Sequence, residues 1–427
     1  NWDNAEKNAG VSGFGVTGTN AHVILSNPPL VEREKPALRN DFYALPLSAK
    51  SEESLKGLVN RYIDFLKVST NSLEEICAMA ALKRTHWEYR NVFVAKTKAE
   101  LIEQLSDFTQ VEYEPKNVFD EDAEPNVVFV FPGQGAQWIG MGKQLFESEL
   151  IFKESIIASR DAFKKWVDWD LIEELNKGEG SSRFDEIDVI QPILVAIEIA
   201  LADLWKSKGI VPDAVVGHSM GEVAAAYVAG ILTLNESAQI ICLRSKLMKR
   251  QSGKGEMGVT DLTENEAKEH INGFENILSI AVINSPNSTV LSGESEALNK
   301  VFEKLEAEGR FCKKVKVDVA SHSPQMDPIK DELGSNLNQL EPKDSEINFY
   351  STALSSLTKG SSLKSDYWVK NLRNPVQFGA SIREILSGGE AIFIEMSPHP
   401  VLINAIQENI SIDEKKGKGI ASFYREK

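Results

Sequence analysis

The stretch that most constrains this chain is Ala214-Val215-Val216-Gly217-His218-Ser219-Met220-Gly221-Glu222. Its β-branched apolar opening reads as a buried strand. It passes through Gly-x-Ser-x-Gly into Glu222-Val-Ala-Ala-Ala-Tyr-Val-Ala229, a composition that favours a helix. Strand, tight turn and helix with a serine at the turn form a nucleophile elbow. Side chains at 217 and 221 would crowd such a turn, which is why glycine stands at both. The geometry exposes Ser219 Oγ and aims a helix N-terminus at it, leaving the Met220 N–H free to bind a developing oxyanion.

An elbow of this kind needs a sheet around it, and 427 residues are too many for one compact core, so two or more domains are expected. The formal net charge of −16 argues against a general nucleic-acid binder. No apolar run is long enough to span a membrane, and Asn1-Trp-Asp-Asn-Ala-Glu-Lys7 has no apolar core of a signal peptide, so a cytoplasmic location is expected. Cys77, Cys242 and Cys312 are far apart, with no metal-ligand spacing; they fit buried thiols in a reducing compartment, and no metal is expected.

The N-terminus, without an initiator methionine, does not read as the start of a protein. A glycine-rich segment ends in Gly18-Thr-Asn-Ala-His22 before Val-Ile-Leu25, suggesting a loop that leads into a strand. This segment resembles the last stretch of a β-ketoacyl synthase, in which the motif supplies an active-site histidine. The cysteine nucleophile of that enzyme would lie upstream, so His22 is assigned no activity here. Pro28, Pro29 and Pro36 mark a linker. A small α/β unit follows: a strand from Phe42, helices over 51–67 and 73–82, a strand from Tyr89 and a helix over 98–108, closed by an acidic stretch from Glu112 to Pro125. Ser51 is its first candidate N-cap, and His86 beside Trp87 reads as packing.

Asn126-Val-Val-Phe-Val-Phe131 then reads as a strand buried on both faces, running into Gly133-Gln-Gly135 where an open α/β sheet holds its ligands. A helix around 191–205 precedes the elbow strand, and Thr233-x-x-Glu236 resembles a capping box opening the next helix, which Gly253-Lys-Gly-Glu-Met-Gly258 ends. From Val259 to Asp318 the pattern is β-α-β-β-α-β, a ferredoxin-like insertion with its last strand over 311–318. The tail adds a strand, Ala391-Ile-Phe-Ile-Glu395. The expected fold is therefore α/β: an α/β-hydrolase-like core with a parallel sheet, an inserted ferredoxin-like subdomain and a small N-terminal α/β domain.

Ser219 needs a base, because a serine hydroxyl is a poor nucleophile at neutral pH. Of six histidines, His218 should point away from the nucleophile, and His322 and His399 each lie in a loop near proline. Either could be the base on sequence grounds. His322 directly follows the insertion, so its loop should face the cleft between subdomains, and it is the preferred choice. In the hydrolase order Ser–Asp–His no Asp has an obvious strand-end context and Asp318 is the only near candidate, which leaves a dyad with a backbone carbonyl orienting the imidazole. Arg244 lies among Ile240, Ile241, Leu247 and Met248, a setting that favours burial of a guanidinium able to meet a carboxylate with two hydrogen bonds.

Taken together, Gly133-Gln-Gly-Ala-Gln137, Gly217-His-Ser-Met-Gly221, Arg244, Ile283-Asn-Ser-Pro286, Ala320-Ser-His322, Tyr367-Trp-Val-Lys-Asn-Leu-Arg373 and Ser397-Pro-His-Pro-Val401 resemble the acyltransferase domain of modular type I polyketide synthases. That domain is related to malonyl-CoA:acyl-carrier-protein transacylases. The resemblance implies a ketosynthase remnant over 1–37, a ketosynthase–acyltransferase linker domain over 38–125, a large subdomain over 126–253 and 320–427, and a small one over 254–319. It implies Ser219 as acyl-enzyme nucleophile, His322 as base, and the N–H groups of Gln134 and Met220 as oxyanion donors. It further implies Arg244 on the substrate carboxylate, with Gln191, His218, Asn284, Ser321 and His399 lining or supporting the pocket.

The implied reaction is ping-pong transfer of a malonyl or methylmalonyl unit from a coenzyme A thioester to the phosphopantetheine thiol of an acyl carrier protein. No cofactor is permanently bound; the implied partners are that carrier protein and covalently linked synthase domains, without nucleic acid or membrane. A serine esterase or thioesterase would use the same elbow but gain nothing from a buried arginine; a non-catalytic docking fragment would need neither Ser219 nor His322. In relatives the residue before the catalytic histidine helps to choose the acyl unit. Val319-Ala-Ser-His322 matches the Tyr-Ala-Ser-His of methylmalonyl-selective domains at three of four positions, whereas Met220 fits neither group.

Overall fold

The computed structural model describes residues 7–27, 42–111, 119, 123–412 and 415–425. The chain divides into two units, Asn1–Asn40 and Asp41–Lys427. In the first, Asn8–Phe14 pairs antiparallel with Asn20–Ser26. Asn20, Ala21 and His22 are thus already in the strand rather than in a loop before it, because the turn is tight enough for Phe14 to pair with Asn20. His22 Nδ1 lies 2.7 Å from Ser12 Oγ on the neighbouring strand. The proline linker and most of the Glu112–Pro125 stretch fall outside the described residues.

The second unit opens with a two-stranded antiparallel sheet, Tyr43–Ala49 against Tyr89–Ala95, packed by the helices Glu52–Val68, Leu73–Leu82 and Lys98–Gln110. Leu55, Val59, Ile63 and Leu66 recur on one face of the first helix and are buried against Leu45, Leu47 and Phe93. Ser51 Oγ caps that helix by accepting from the Ser54 N–H. This core is separate from those of the larger domain.

The larger domain is built on a six-stranded sheet in the order Ser356–Leu357, Asn348–Ser351, Ala214–Gly217, Asn126–Phe131, Ala391–Glu395 and Gly417–Ala421. All neighbours are parallel except the first pair. Register decides where the site falls. Phe131 pairs with Gly217 and Val130 with Glu395, so three central strands end level and release their loops on one edge. The helix Ile187–Ser207 packs on this sheet and is buried all round from Val189 to Ala202, as its nearly unbroken apolar sequence requires.

Between Lys249 and Val319 the chain makes a second sheet, antiparallel, in the order Cys312–Lys314, Glu256–Thr260, Ser288–Gly293, Leu278–Ser285. With helices Glu264–His270 and Ser295–Ala307 this is the ferredoxin-like order. Two details differ from the sequence reading. Its first strand begins at Glu256, since the preceding helix stops at Lys249 and the glycines at 253 and 255 lie outside it. Its last strand is only Cys312–Lys314; after one further bond from Val315 N–H to Met257 O the chain turns back toward the larger domain. The two subdomains are joined through the sheet edge, where Val376 exchanges backbone hydrogen bonds with Ala281 and Ile283.

The elbow glycines are required by close approach. A Cβ at Gly221 would stand 2.1 Å from the Phe131 carbonyl oxygen, and one at Gly217 would stand 2.3 Å from the Glu222 backbone nitrogen. Backbone on both sides cannot step aside. We expect Gly221→Ala to lower stability by about 1–3 kcal/mol, the usual cost of overpacking, in a urea titration of the folded chain. An unchanged midpoint would show that the strand and the elbow helix can separate at no cost.

Candidate active site

Ser219 sits between strand and helix with a φ of 56°, in the left-handed region that non-glycine residues rarely adopt. The turn lifts its Oγ out of the sheet. His322 has a φ of 58° and reaches the same point from the loop that follows the inserted subdomain. Ser219 Oγ lies 2.7 Å from His322 Nε2, and His322 Nδ1 lies 2.8 Å from the carbonyl oxygen of Asn374. A carbonyl only accepts, so Nδ1 carries the proton and Nε2 is left to accept from the serine hydroxyl. Asp318 does not serve the imidazole, whose Nδ1 is taken by Asn374; the Asp318 carbonyl accepts instead from the Gly253 N–H.

Arg244 is 1% exposed, from the helix Leu234–Lys249. Its Nη1 donates to Gln191 Oε1 at 2.7 Å and its Nη2 to Ser219 Oγ at 3.1 Å. Nε is buried with no acceptor. Gln191 in turn approaches Gln134 Oε1 through Nε2 at 3.5 Å. Gln134, Gln191, Arg244, Ser219, His322 and Asn374 therefore form one continuous chain of polar contacts. The backbone N–H groups of Gln134 and Met220 have no acceptor among the described residues. Burial, and then the charge of Arg244, push the His322 imidazole down to about 3, so it is neutral through the physiological range. Burial also lowers Arg244 to about 10, against an opposing pull from Glu222.

The remaining expected residues divide. His218 is turned to Asn284 and Phe378: its Nε2 lies 3.1 Å from Asn284 Oδ1 and its ring packs on Phe378. Burial pushes it down to about 4. The Ser321 carbonyl accepts from Ser292 Oγ at 2.6 Å, tying the His322 loop to the small subdomain. His399 is engaged elsewhere: its Nδ1 accepts from Arg425 N–H at 3.4 Å, its ring meets Tyr424 edge-on, and its carbonyl accepts from Ser397 Oγ.

Sequence reasoning missed the carboxylate beneath the elbow. Glu222 is fully buried, and its Oε1 accepts from Thr352 N–H at 2.6 Å and Thr352 Oγ1 at 2.9 Å. Its Oε2 accepts from Tyr367 Oη at 2.6 Å and Asn371 Nδ2 at 2.8 Å. Asn371 Nδ2 also donates to the Ser219 carbonyl at 2.9 Å. Burial raises the Glu222 carboxyl above its ordinary range while these donors oppose the rise. A signal was present: a lone acid in the apolar helix Gly221–Val228, and Tyr367 and Asn371 one turn apart on another helix.

Residues 128–425 match the family model described as acyl transferase domain, and residues 43–105 match the one described as CurL-like, PKS C-terminal. The chain belongs to the acyl transferase domain family. Its relatives are modular polyketide synthases. Polyketide synthase GfsB of Streptomyces halstedii is 37% identical over 97% of this chain, which spans 8% of that protein. Erythronolide synthase EryA2 of Saccharopolyspora erythraea is also 37% identical over 97% of this chain and 12% of its own length. Among solved structures, the acyltransferase domain from module 8 of the salinomycin polyketide synthase aligns with a TM-score of 0.86 at 33% identity, covering 92% of this chain and 93% of that one. A loading acyltransferase from the avermectin synthase gives 0.67 at 37% identity, over 70% and 94%.

Among the described residues, no group of three or more His, Cys, Asp or Glu side chains is placed to hold a metal ion, and no helix is long and apolar enough to cross a membrane. A groove of about 730 Å³ lies in the small N-terminal part of the second unit, lined by Arg61, His86 and Trp87 among others, but by none of the residues above.

The Glu222 network gives a direct test. Glu222→Ala leaves Tyr367, Thr352 and Asn371 without their acceptor and should lower stability by about 3–5 kcal/mol. Glu222→Gln, which keeps the shape, should lose less. Equal urea midpoints for the two variants would show that the carboxylate is not what holds these elements.

Proposed function

We propose that this acyltransferase domain loads a carboxylated acyl unit, malonyl or methylmalonyl, from a coenzyme A thioester onto the phosphopantetheine thiol of an acyl carrier protein. The supporting observation is a Ser219–His322 pair within hydrogen-bond reach of a buried arginine that has no acidic partner among the described residues. A buried, uncompensated guanidinium is costly, and a substrate carboxylate would supply the missing anion.

In this reading His322 Nε2 takes the Ser219 hydroxyl proton as Oγ attacks the thioester carbonyl carbon. The N–H groups of Gln134 and Met220 hold the oxyanion of the tetrahedral intermediate. The C–S bond breaks, coenzyme A leaves, and His322 returns the proton to its thiolate sulfur. The pantetheine thiol then enters by the reverse sequence, giving its proton to His322 and taking the acyl group from Ser219. Gln191 holds Arg244, and His218 fixes the Asn284 amide. The His399 loop acts only as support. A reducing cytoplasm suits the three unpaired cysteines, and linked synthase domains are the natural partners given how small a part of its relatives this chain spans. The segments over 1–37 and 38–125 are then a ketosynthase remnant and a linker domain. A hydrolase is the second reading, and the buried arginine is what disfavours it.

Intact-protein mass after mixing with malonyl-CoA tests the assignment. Ser219→Ala should abolish the acyl adduct, and His322→Ala should slow its formation by at least about 10²-fold. Arg244→Ala should cut malonylation by about two to three orders of magnitude, and acetylation little. Labelling that survives Ser219→Ala, or rapid hydrolysis of the adduct without carrier protein, would overturn the transferase reading.

For the acyl unit, Ser321 and Ala320 leave room at the α-carbon and the flexible Met220 can fill or vacate it. We expect both thioesters to be accepted, and Ser321→Phe to disfavour methylmalonyl by about ten-fold in direct competition. Exclusion of methylmalonyl by the unaltered chain by more than about a thousand-fold would place the choice in other residues.

A further inference from the structure

Transfer through His322 puts a second positive charge into a site that already holds one. As Ser219 Oγ loses its proton the imidazole becomes imidazolium, while the Arg244 guanidinium donates to the same oxygen from its other side. The charged and titratable groups facing His322 come from four elements. Arg244 lies on the helix Leu234–Lys249. Arg373 lies on the helix Ser365–Arg373 and is already paired with Asp327 at 3.0 Å. His218 follows the strand Ala214–Gly217 and is held neutral by burial. Glu222, on the elbow helix, acts on Arg244 from a distance, with its oxygens occupied by Tyr367, Thr352 and Asn371. Nothing in this set neutralises Arg244 directly, and its Nε stays buried without an acceptor.

We propose that the substrate carboxylate is part of the catalytic machinery: by pairing with Arg244 it draws Nη2 off Ser219 Oγ and compensates the charge that appears on His322. The inference rests on the reading of Arg244 as the carboxylate holder and goes beyond it, since it places selection in the chemical step as well as in binding. Two consequences follow from the geometry. With Nη2 in place, one of the two Oγ lone pairs is already engaged, and only the other is free to attack while the O–H donates to Nε2. With a carboxylate on Arg244, imidazolium and guanidinium face two anions, the carboxylate and the oxyanion; with an acetyl group they face one. A compensating charge at this range moves a buried base by about one to three pH units, hence ten-fold or more in the proton-transfer step.

The test measures single-turnover acylation of Ser219 by intact mass, with malonyl-CoA and acetyl-CoA each taken to saturation. The maximal rate with malonyl-CoA should exceed that with acetyl-CoA by about ten-fold or more. Added formate, a small anion able to sit where the carboxylate would, should raise the acetylation rate in the unaltered chain and do nothing in Arg244→Ala or Arg244→Gln. In both variants the acid limb of the acetylation pH profile should move up by about one unit or more, as His322 loses its cationic neighbour. Equal maximal rates for the two thioesters, or an acid limb unmoved in the variants, would overturn the proposal. If Arg244→Ala still loses malonylation far more than acetylation, the carboxylate reading survives that outcome; equal losses of both would defeat the carboxylate reading itself.

Discussion

The site depends on one buried carboxylate. Glu222 stands in the first turn of the elbow helix and gathers donors from two other elements, Thr352 at the end of the strand Asn348–Ser351 and Tyr367 and Asn371 on the helix Ser365–Arg373. Three pieces of chain distant in sequence are thereby fixed to each other at the edge where the sheet opens. Asn371 also holds the Ser219 carbonyl, and Asn374, just past the end of the same helix, orients His322. Ser219 and His322 are thus both held by one helix and the residue just past its end. Each donor to Glu222 makes a charge-assisted bond in a site without water competition, so the set is stiff where a dyad with a 2.7 Å contact needs stiffness.

Backbone strain is confined to the same place. Ser219 and His322 are two of only three non-glycine residues with positive φ among the described residues, and their side chains meet. Holding both in the left-handed region costs roughly 1–3 kcal/mol each, which the packed surroundings must over-determine. At Ser219 the surroundings are the two glycine contacts and the Asn371 bond. At His322 they are the Asn374 carbonyl, the buried neighbours Val319 and Ala320, and the bond from Ser323 Oγ to the Ala320 carbonyl. The strain aims both side chains at one point while their backbones run apart.

How much of this was legible in the sequence follows from the range of the interactions. The elbow was legible because strand, turn and helix signals lie within a dozen residues and the turn chemistry is local. The inserted β-α-β-β-α-β pattern was legible for the same reason, as was the burial of Arg244 among its apolar neighbours. Strand ends were misjudged where tertiary contacts decide them: Glu256–Thr260 begins early because Glu256 pairs with Gly293, and 315–318 leaves the sheet to join the other subdomain. Glu222 was read only as a helix former, since its partners lie about 130 to 150 residues away and no local spacing announces them. The base could be narrowed to two histidines by their loop contexts; choosing between them needed the resemblance and the position of the insertion, and the separate partners of His399 are visible only in three dimensions.

The same arrangement places His322 at the junction of the two subdomains. The His322 loop is tethered to the small subdomain through Ser292 Oγ on the Ser321 carbonyl, and to the stretch that enters that subdomain through Gly253 N–H on the Asp318 carbonyl. On its other flank the Asn374 carbonyl holds the imidazole to the large subdomain, and two residues further Val376 bonds Ala281 and Ile283 of the small one. His322 thus sits on a loop clamped from both sides. Ser219, Gln134, Met220 and Arg244 belong to the large subdomain alone. Any shift of one subdomain against the other must move His322 relative to Ser219, or stretch the bonds at Ser321 and Asn374. The position of the Ser321 loop and the alignment of His322 with Ser219 are therefore mechanically linked.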